Sequence, residues 1–222
     1  MKICFKLSVI FLIIISPLAF AGEVATMVNS VGTVTLIKAD GSTVAIKKKG
    51  KVEEGDTLVT SSGAFAMFRF IDANEMLLRP DTQVKVTKFN FVEAEPTKDK
   101  AQFDLLKGGL RRLTGLIGKR GDKDADKLVT TTATAGIRGT LYDTLICNND
   151  CGKLSNGLYY RVKEGEIVVK NDAGEISIKA GQFGLVVDAR KKPVMLPKDP
   201  GLPIFNPPKS MQKEGGVCEA QT

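Results

Sequence analysis

From residue 22 onward, apolar side chains recur at every second position in short runs divided by Gly, Asp, Asn and Pro. No stretch sustains a helical period. Val34 and Leu36 alternate with Thr35 and Ile37, Ala39-Asp-Gly-Ser42 supplies a hairpin turn, and Val44 and Ile46 resume on one face. Gly50 to Gly55 turns again before Thr57 to Thr60. Ala64 to Phe70 carries apolar residues on both faces, which predicts a central strand covered on both sides. After turns at Asp72 to Glu75 and at Pro80-Asp81, Val84 and Val86 share one face while Phe89 and Phe91 occupy the other, so a bulge or bend is expected between them. Ala101 to Leu106 reads as a further strand, and Gly108-Gly109 turns it into Leu110 to Leu113. Lys119 to Lys127 is strongly charged and reads as a mobile loop. The pattern predicts an all-β fold of many short antiparallel strands, in a rolled sandwich or a β-solenoid-like domain.

The segment Leu128 to Thr140 stands out. Val129 to Thr134 is rich in residues that are stiff at χ1 and fit a pleated surface, and a second strand is expected over Thr140 to Ile146. Gly136 and Gly139 between them permit a positive φ or close chain approach. The expectation is a structural corner made by Gly136, Arg138, Gly139 and Thr140, with the Arg138 guanidinium bridging it through its five donors; the rival role for Arg138 is as an anion ligand. Two hairpin-like regions resemble each other, Gly32 to Gly50 and Gly165 to Gly181. They are either a duplicated unit or two ordinary strand-turn-strand segments.

The chain ends add compartment. Lys2 and Lys6 precede an apolar run, Leu7 to Phe20, that is short for a membrane span and closes on Ala19-Phe-Ala21, a small-x-small pattern. Residues 1–21 are expected to be a cleaved signal peptide, placing the protein in the periplasm or outside the cell, with no membrane span after cleavage. Residues 22–192 form the expected β domain. The remaining stretch, 193–222, has six prolines between Pro193 and Pro208 and is expected to be an extended, partly ordered tail.

Charge and cysteine narrow the partners. The net charge of +7 falls by two when Lys2 and Lys6 leave, and basic residues mostly alternate with acids, so nucleic-acid binding is not expected. Cys147-Asn-Asn-Asp-Cys151 is expected to form a disulfide in an oxidising compartment, leaving Cys218 free or available for a dimer. With no histidine anywhere, a metal site of scattered thiols is not expected, nor is any cofactor.

The ordered set Val31-Gly-Thr-Val34, Val52 to Thr60, Phe68-Arg-Phe70 with Leu77-Leu-Arg-Pro80, Leu105 to Arg111, Thr132 to Thr140 and Val162 to Val169 ending at Ala180-Gly-Gln182 resembles the FecR domain family, named after the ferric-citrate regulator. The resemblance spans roughly residues 27 to 187. It implies an all-β envelope domain that binds or transmits rather than catalyses. The signalling member has a cytoplasmic segment before a membrane span, whereas a signal peptide is expected here, so direct control of a sigma factor does not carry over.

Catalysis is weighed against this. Absence of His removes Ser-His and Cys-His nucleophiles. Paired carboxylates among Asp72, Glu75, Asp143, Glu164 and Glu166 would be needed for a hydrolase, yet most read as solvated turn residues. The expected function is non-enzymatic recognition of an envelope protein or polymer, possible in a signalling setting; the alternative is a structural or self-associating envelope protein.

Overall fold

In the computed structural model, residues 22–120, 122–203 and 207–212 are described. The signal-peptide segment and Cys218 lie outside them. Sixteen strands join into one mixed sheet that curls into a half-barrel, so the all-β expectation holds.

In chain order the strands are β1 (Glu23–Val31), β2 (Val34–Ile37), β3 (Thr43–Ala45), β4 (Lys51–Glu53), β5 (Thr57–Thr60), β6 (Phe65–Phe70), β7 (Glu75–Leu78) and β8 (Gln83–Asn90). There follow β9 (Lys100–Lys107), β10 (Gly109–Leu113), β11 (Asp126–Val129), β12 (Thr134–Cys147), β13 (Gly157–Asn171), β14 (Gly174–Lys179), β15 (Phe183–Val186) and β16 (Val194–Leu196). A single helical turn, α1 (Lys209–Gln212), closes the described part.

The antiparallel pair β12 and β13 is a long spine, and everything else hangs from its two edges. Along one edge of β12, residues 141–145 pair with β10 and residues 134–136 pair with β11. From β10 a first wing runs through β7, β6, β1 and β4; from β11 a second wing runs through β9, β8, β5, β2 and β3. On the far edge, β13 pairs with β14 and β15, and β16 adds to β15. The β9–β11 pairing is parallel and the rest are antiparallel.

The wings face each other across the core. Phe70 of the first wing stacks on Phe89 of the second, with ring centroids 5.2 Å apart, and meets Phe103 edge-on at 5.1 Å. Aromatic pairs in these geometries add packing energy beyond the area they bury. The phase change along β8 is a bulge at Thr87, between Val86 and Lys88, so that Val84, Val86 and Phe89 all reach the core. β6 is covered on both faces as its apolar pattern requires: Phe68 and Phe70 point into the core, and Met67 lies under Met211 of the C-terminal segment.

Three expectations need correction. Val129 to Thr134 is not one strand: β11 ends at Val129, and Thr130 makes a turn whose hydroxyl accepts the Ala133 N–H at 3.1 Å and donates to the Ala133 carbonyl at 2.9 Å. Gly136 to Thr140 is not a break between strands either, since β12 runs through all of it. Pairing with β13 resumes at Leu141 after a break at Gly139 and Thr140, so the strand continues through a bulge there, and Gly136 is paired with Val168 in regular register. The polar segment Lys119 to Lys127 is likewise more than a loop. Arg120 bonds Asp99 at 2.9 Å and the carbonyls of Val92 and Glu93, and Asp126 is fully buried.

The C-terminal segment crosses the outer face of the sheet. Beyond β16, Asp199 approaches Arg161 at 3.3 Å, and Leu202 is buried among Leu145, Cys147 and Tyr159.

Candidate functional site

Three groups of charged residues could carry function, and they differ in what surrounds them. The first sits in the core. Leu110 and Arg112 share the inward face of β10, so Arg112 enters the apolar interior, where both it and Asp126 are 0% exposed. Two guanidinium N–H groups donate to the Asp126 carboxylate at 2.7 and 2.8 Å, and the Phe103 ring lies 4.3 Å from the guanidinium carbon. Burial opposes the Arg112 charge, but Asp126 and Tyr142 more than offset it and its pKa is raised. Asp72 is close by. Its carboxylate accepts the Asn74 and Ile117 N–H groups at 3.0 and 3.3 Å, and burial pushes its pKa up against the pull of those bonds and of Arg112.

The second group lies on the opposite face of the same strands. Asp143 is buried between two arginines. Arg111 donates to it at 2.7 and 3.2 Å, and Arg161 at 2.9 and 2.8 Å. Asp199 on the crossing C-terminal segment meets Arg161 from outside. Lys163 nearby has a lowered pKa, from burial first and then from Arg111.

The third group surrounds a cavity of about 460 Å³ on the outer face around Gly136. Ile137 of β12 and Ile167 and Val169 of β13 point inward, so Arg138 and Lys170, one position on, point out. Lys127 of β11 is registered against Gly136, and Lys123 comes from the segment before it. Asp124 and Glu175 contribute the acidic part of the wall. Gly136 lines it, and a Cβ there would meet nothing nearer than the Val168 carbonyl at 3.9 Å, so the space above it is open.

The expected corner is thus resolved residue by residue. Thr140 is buried and exchanges backbone and hydroxyl bonds with Thr114, its N–H donating to the Thr114 hydroxyl at 2.7 Å and its carbonyl accepting the Thr114 N–H at 2.9 Å. Gly139 has φ +57° and faces Gly165, φ +74°, across the bulge; a Cβ on Gly165 would lie 2.4 Å from the Gly139 carbonyl oxygen. Arg138 departs from expectation. It is exposed and makes no hydrogen bond or ion pair among the described residues, so it bridges nothing there. Its cross-strand neighbour Glu166 accepts the Ser177 hydroxyl instead.

The disulfide expectation holds. Cys147 and Cys151 are bonded, with Cα atoms 5.5 Å apart, at the tip of the spine. Of the carboxylates considered for hydrolysis, Asp72 and Asp143 are in the two separate buried groups, Glu75 accepts Arg69 at 2.7 Å, and Glu164 and Glu166 stay on the outer face, so the set is not assembled into one site. A buried carboxylate pair does exist, Asp72 with Asp126, where burial and then Arg112 dominate Asp126's environment and the charge of Asp72 adds a smaller upward push. Neither residue lines the cavity around Gly136. Among the described residues no cluster of His, Cys, Asp and Glu is arranged to hold a metal ion, and no helix is long and apolar enough to cross a membrane.

No family model matches the chain, and no curated protein matches it. Among solved structures, the fold is similar to two crystal structures, each of a proposed anti-sigma factor from Parabacteroides distasonis ATCC 8503, with TM-scores of 0.51 and 0.50 at 13% and 12% identity. Each match covers 65% of this chain and 61% of the other, so this chain spans less than two thirds of those proteins' length. At such identity the likeness is one of fold.

Proposed function

We propose that this chain is a non-catalytic recognition domain that works outside the cytoplasm in a signalling setting, holding a partner on the outer face of its spine. The observation that carries the reading is the contrast between its charged groups. Groups displaced toward unusual protonation, Asp72 and Asp126 above all, are enclosed in the core and bonded to Arg112 or to backbone N–H groups, whereas the accessible cavity is walled by four cations with Asp124 and Glu175 around Gly136. Shifted groups in an open cleft would favour catalysis; open charges beside a rigid sheet favour binding. The shared fold with proposed anti-sigma factors supports a signalling role, and the Cys147–Cys151 bond supports an oxidising compartment. The ordered motifs that resemble the FecR domain family, for which no family model matches, are compatible with that setting.

The test is a cross-linking pull-down with the tagged protein from envelope extracts, with and without reductant. One recurrent partner, lost when Arg138 and Lys170 are replaced by Ala, is the expected result. Recovery of the protein alone would replace this reading with a self-associating structural role, and turnover of an envelope substrate abolished by Asp126→Asn would replace it with catalysis.

A further inference from the structure

We propose that the cavity around Gly136 binds a multivalent anion, a ligand that presents two or more phosphate or carboxylate groups to Arg138, Lys127, Lys170 and Lys123. The inference rests on the recognition reading above and names what this face recognises.

The first argument is charge grouping. Some cations elsewhere are paired, such as Lys38 with Glu53 and Asp56, Arg120 with Asp99, and Arg111 and Arg161 with Asp143, and others, such as Lys85, Lys107 and Lys153, stand singly on the surface; what sets the cavity apart is four cations around one depression. The four cations around the cavity make no hydrogen bond or ion pair among the described residues, although Asp124, Glu175 and Glu166 are close enough along the sheet to be candidates. Four positive charges against two lining carboxylates leave the cavity with a local positive excess. Like charges held around one depression repel one another, and an anion between them removes that repulsion.

The second argument is spacing. Lys127 is one strand over from Gly136, Arg138 is two residues along β12, and Lys170 is opposite Thr134, two residues the other way. With strands about 4.8 Å apart and a rise of about 3.4 Å per residue, their Cα atoms are spread over roughly 8 to 14 Å. That spread suits a ligand with several charges better than one small ion. The donors are three lysines and an arginine, which offer N–H groups and no acceptors, so the complementary group is a fully ionised oxyanion. β12 pairs with β13 on both sides of the bulge at Gly139, so the charges are presented on a hydrogen-bonded sheet.

The experiment is titration calorimetry of the full mature chain with a short linear polyphosphate and, separately, with a polyglutamate of matched charge; inorganic phosphate is the monovalent-site control. Binding of at least one polymer is expected, at least about tenfold tighter than inorganic phosphate, and weakening from about 10 mM to about 1 M salt as the screening length shrinks from about 30 to about 3 Å. Response to the phosphate polymer alone assigns the source as phosphate, to polyglutamate alone as carboxylate. Arg138→Ala with Lys170→Ala should weaken binding about tenfold or more with an unchanged melting temperature, and Glu175→Gln should tighten it, an opposite sign that no folding role would give. Failure of both polymers to bind, or full binding by the double variant, overturns the proposal. If the double variant then still loses a protein partner in the pull-down, the ligand class is wrong and the recognition reading stands; if neither changes, both fall.

Discussion

Arg112 and Arg138 lie on neighbouring strands of one sheet, and they solve opposite problems. Arg112 is sealed in the core with Asp126, Phe103 and the nearby Asp72 around it, so its charge is spent on holding the first wing, through β10, to the second, through β11. Arg138 is exposed on the outer face of the spine, beside a carboxylate that bonds something else. A buried ion costs several kcal/mol to dehydrate and needs a partner, which Asp126 supplies to two nitrogens of Arg112 while its Nε has none, whereas an exposed ion costs little to leave open. Pairing therefore gives Arg112 a structural role, while Arg138 is left open to solvent.

The comparison is broken most directly at its buried end. Arg112→Ala leaves Asp126 dehydrated and unpaired and should destabilise the fold by about 3–5 kcal/mol, read from denaturant midpoints. Loss under about 1 kcal/mol would mean that the pair contributes nothing net. Asp143→Ala should cost less, about 2–3 kcal/mol, because Arg161 keeps partial access to water and to Asp199. Reducing the Cys147–Cys151 bond, which closes a small loop, should lower stability by about 2 kcal/mol on the chain-entropy estimate.

Asp72 sharpens the contrast through pH. Burial raises its folded pKa above the ordinary 3.8, so the folded state holds this proton more tightly than the unfolded chain does. The resulting stability is fully present below 3.8 and is lost as pH rises through the raised folded value. The melting temperature of the parent relative to Asp72→Asn should therefore climb as pH falls from neutral toward 3.8. A flat or falling difference would mean that Asn74, Ile117 and Arg112 hold the carboxylate ionised. At the exposed end, Arg138→Ala should shift stability by less than about 0.5 kcal/mol. A larger loss would restore the bridging role expected from the sequence.

Much of the scaffold was readable from alternation alone. The strands, the bulge in β8 and the double covering of β6 all follow from which faces carry Val, Leu and Phe, because burial decides the face and the period of two decides the register. The long β12 was not readable, since Gly136 and Gly139 signal a local irregularity without saying whether the partner strand continues past it. The buried pair was missed for a related reason. Arg111-Arg112 beside a double glycine and Asp126 in a charged stretch both look like solvated turns. One signal was present: Arg112 is two residues from Leu110 and Asp126 two from Leu128, so strand phase places each charge on a core face. For Arg138 the sequence supplied two roles, and only the position of Glu166 and its bond to Ser177 separates them.

The spine also dictates an order of events during synthesis. Both wings end on β12, yet β1 to β11 are made before it, and a nascent chain emerges at only about 5–20 residues per second. Until residues 134–147 appear, β10 and β11 present open edges, the kind of surface that pairs with other chains.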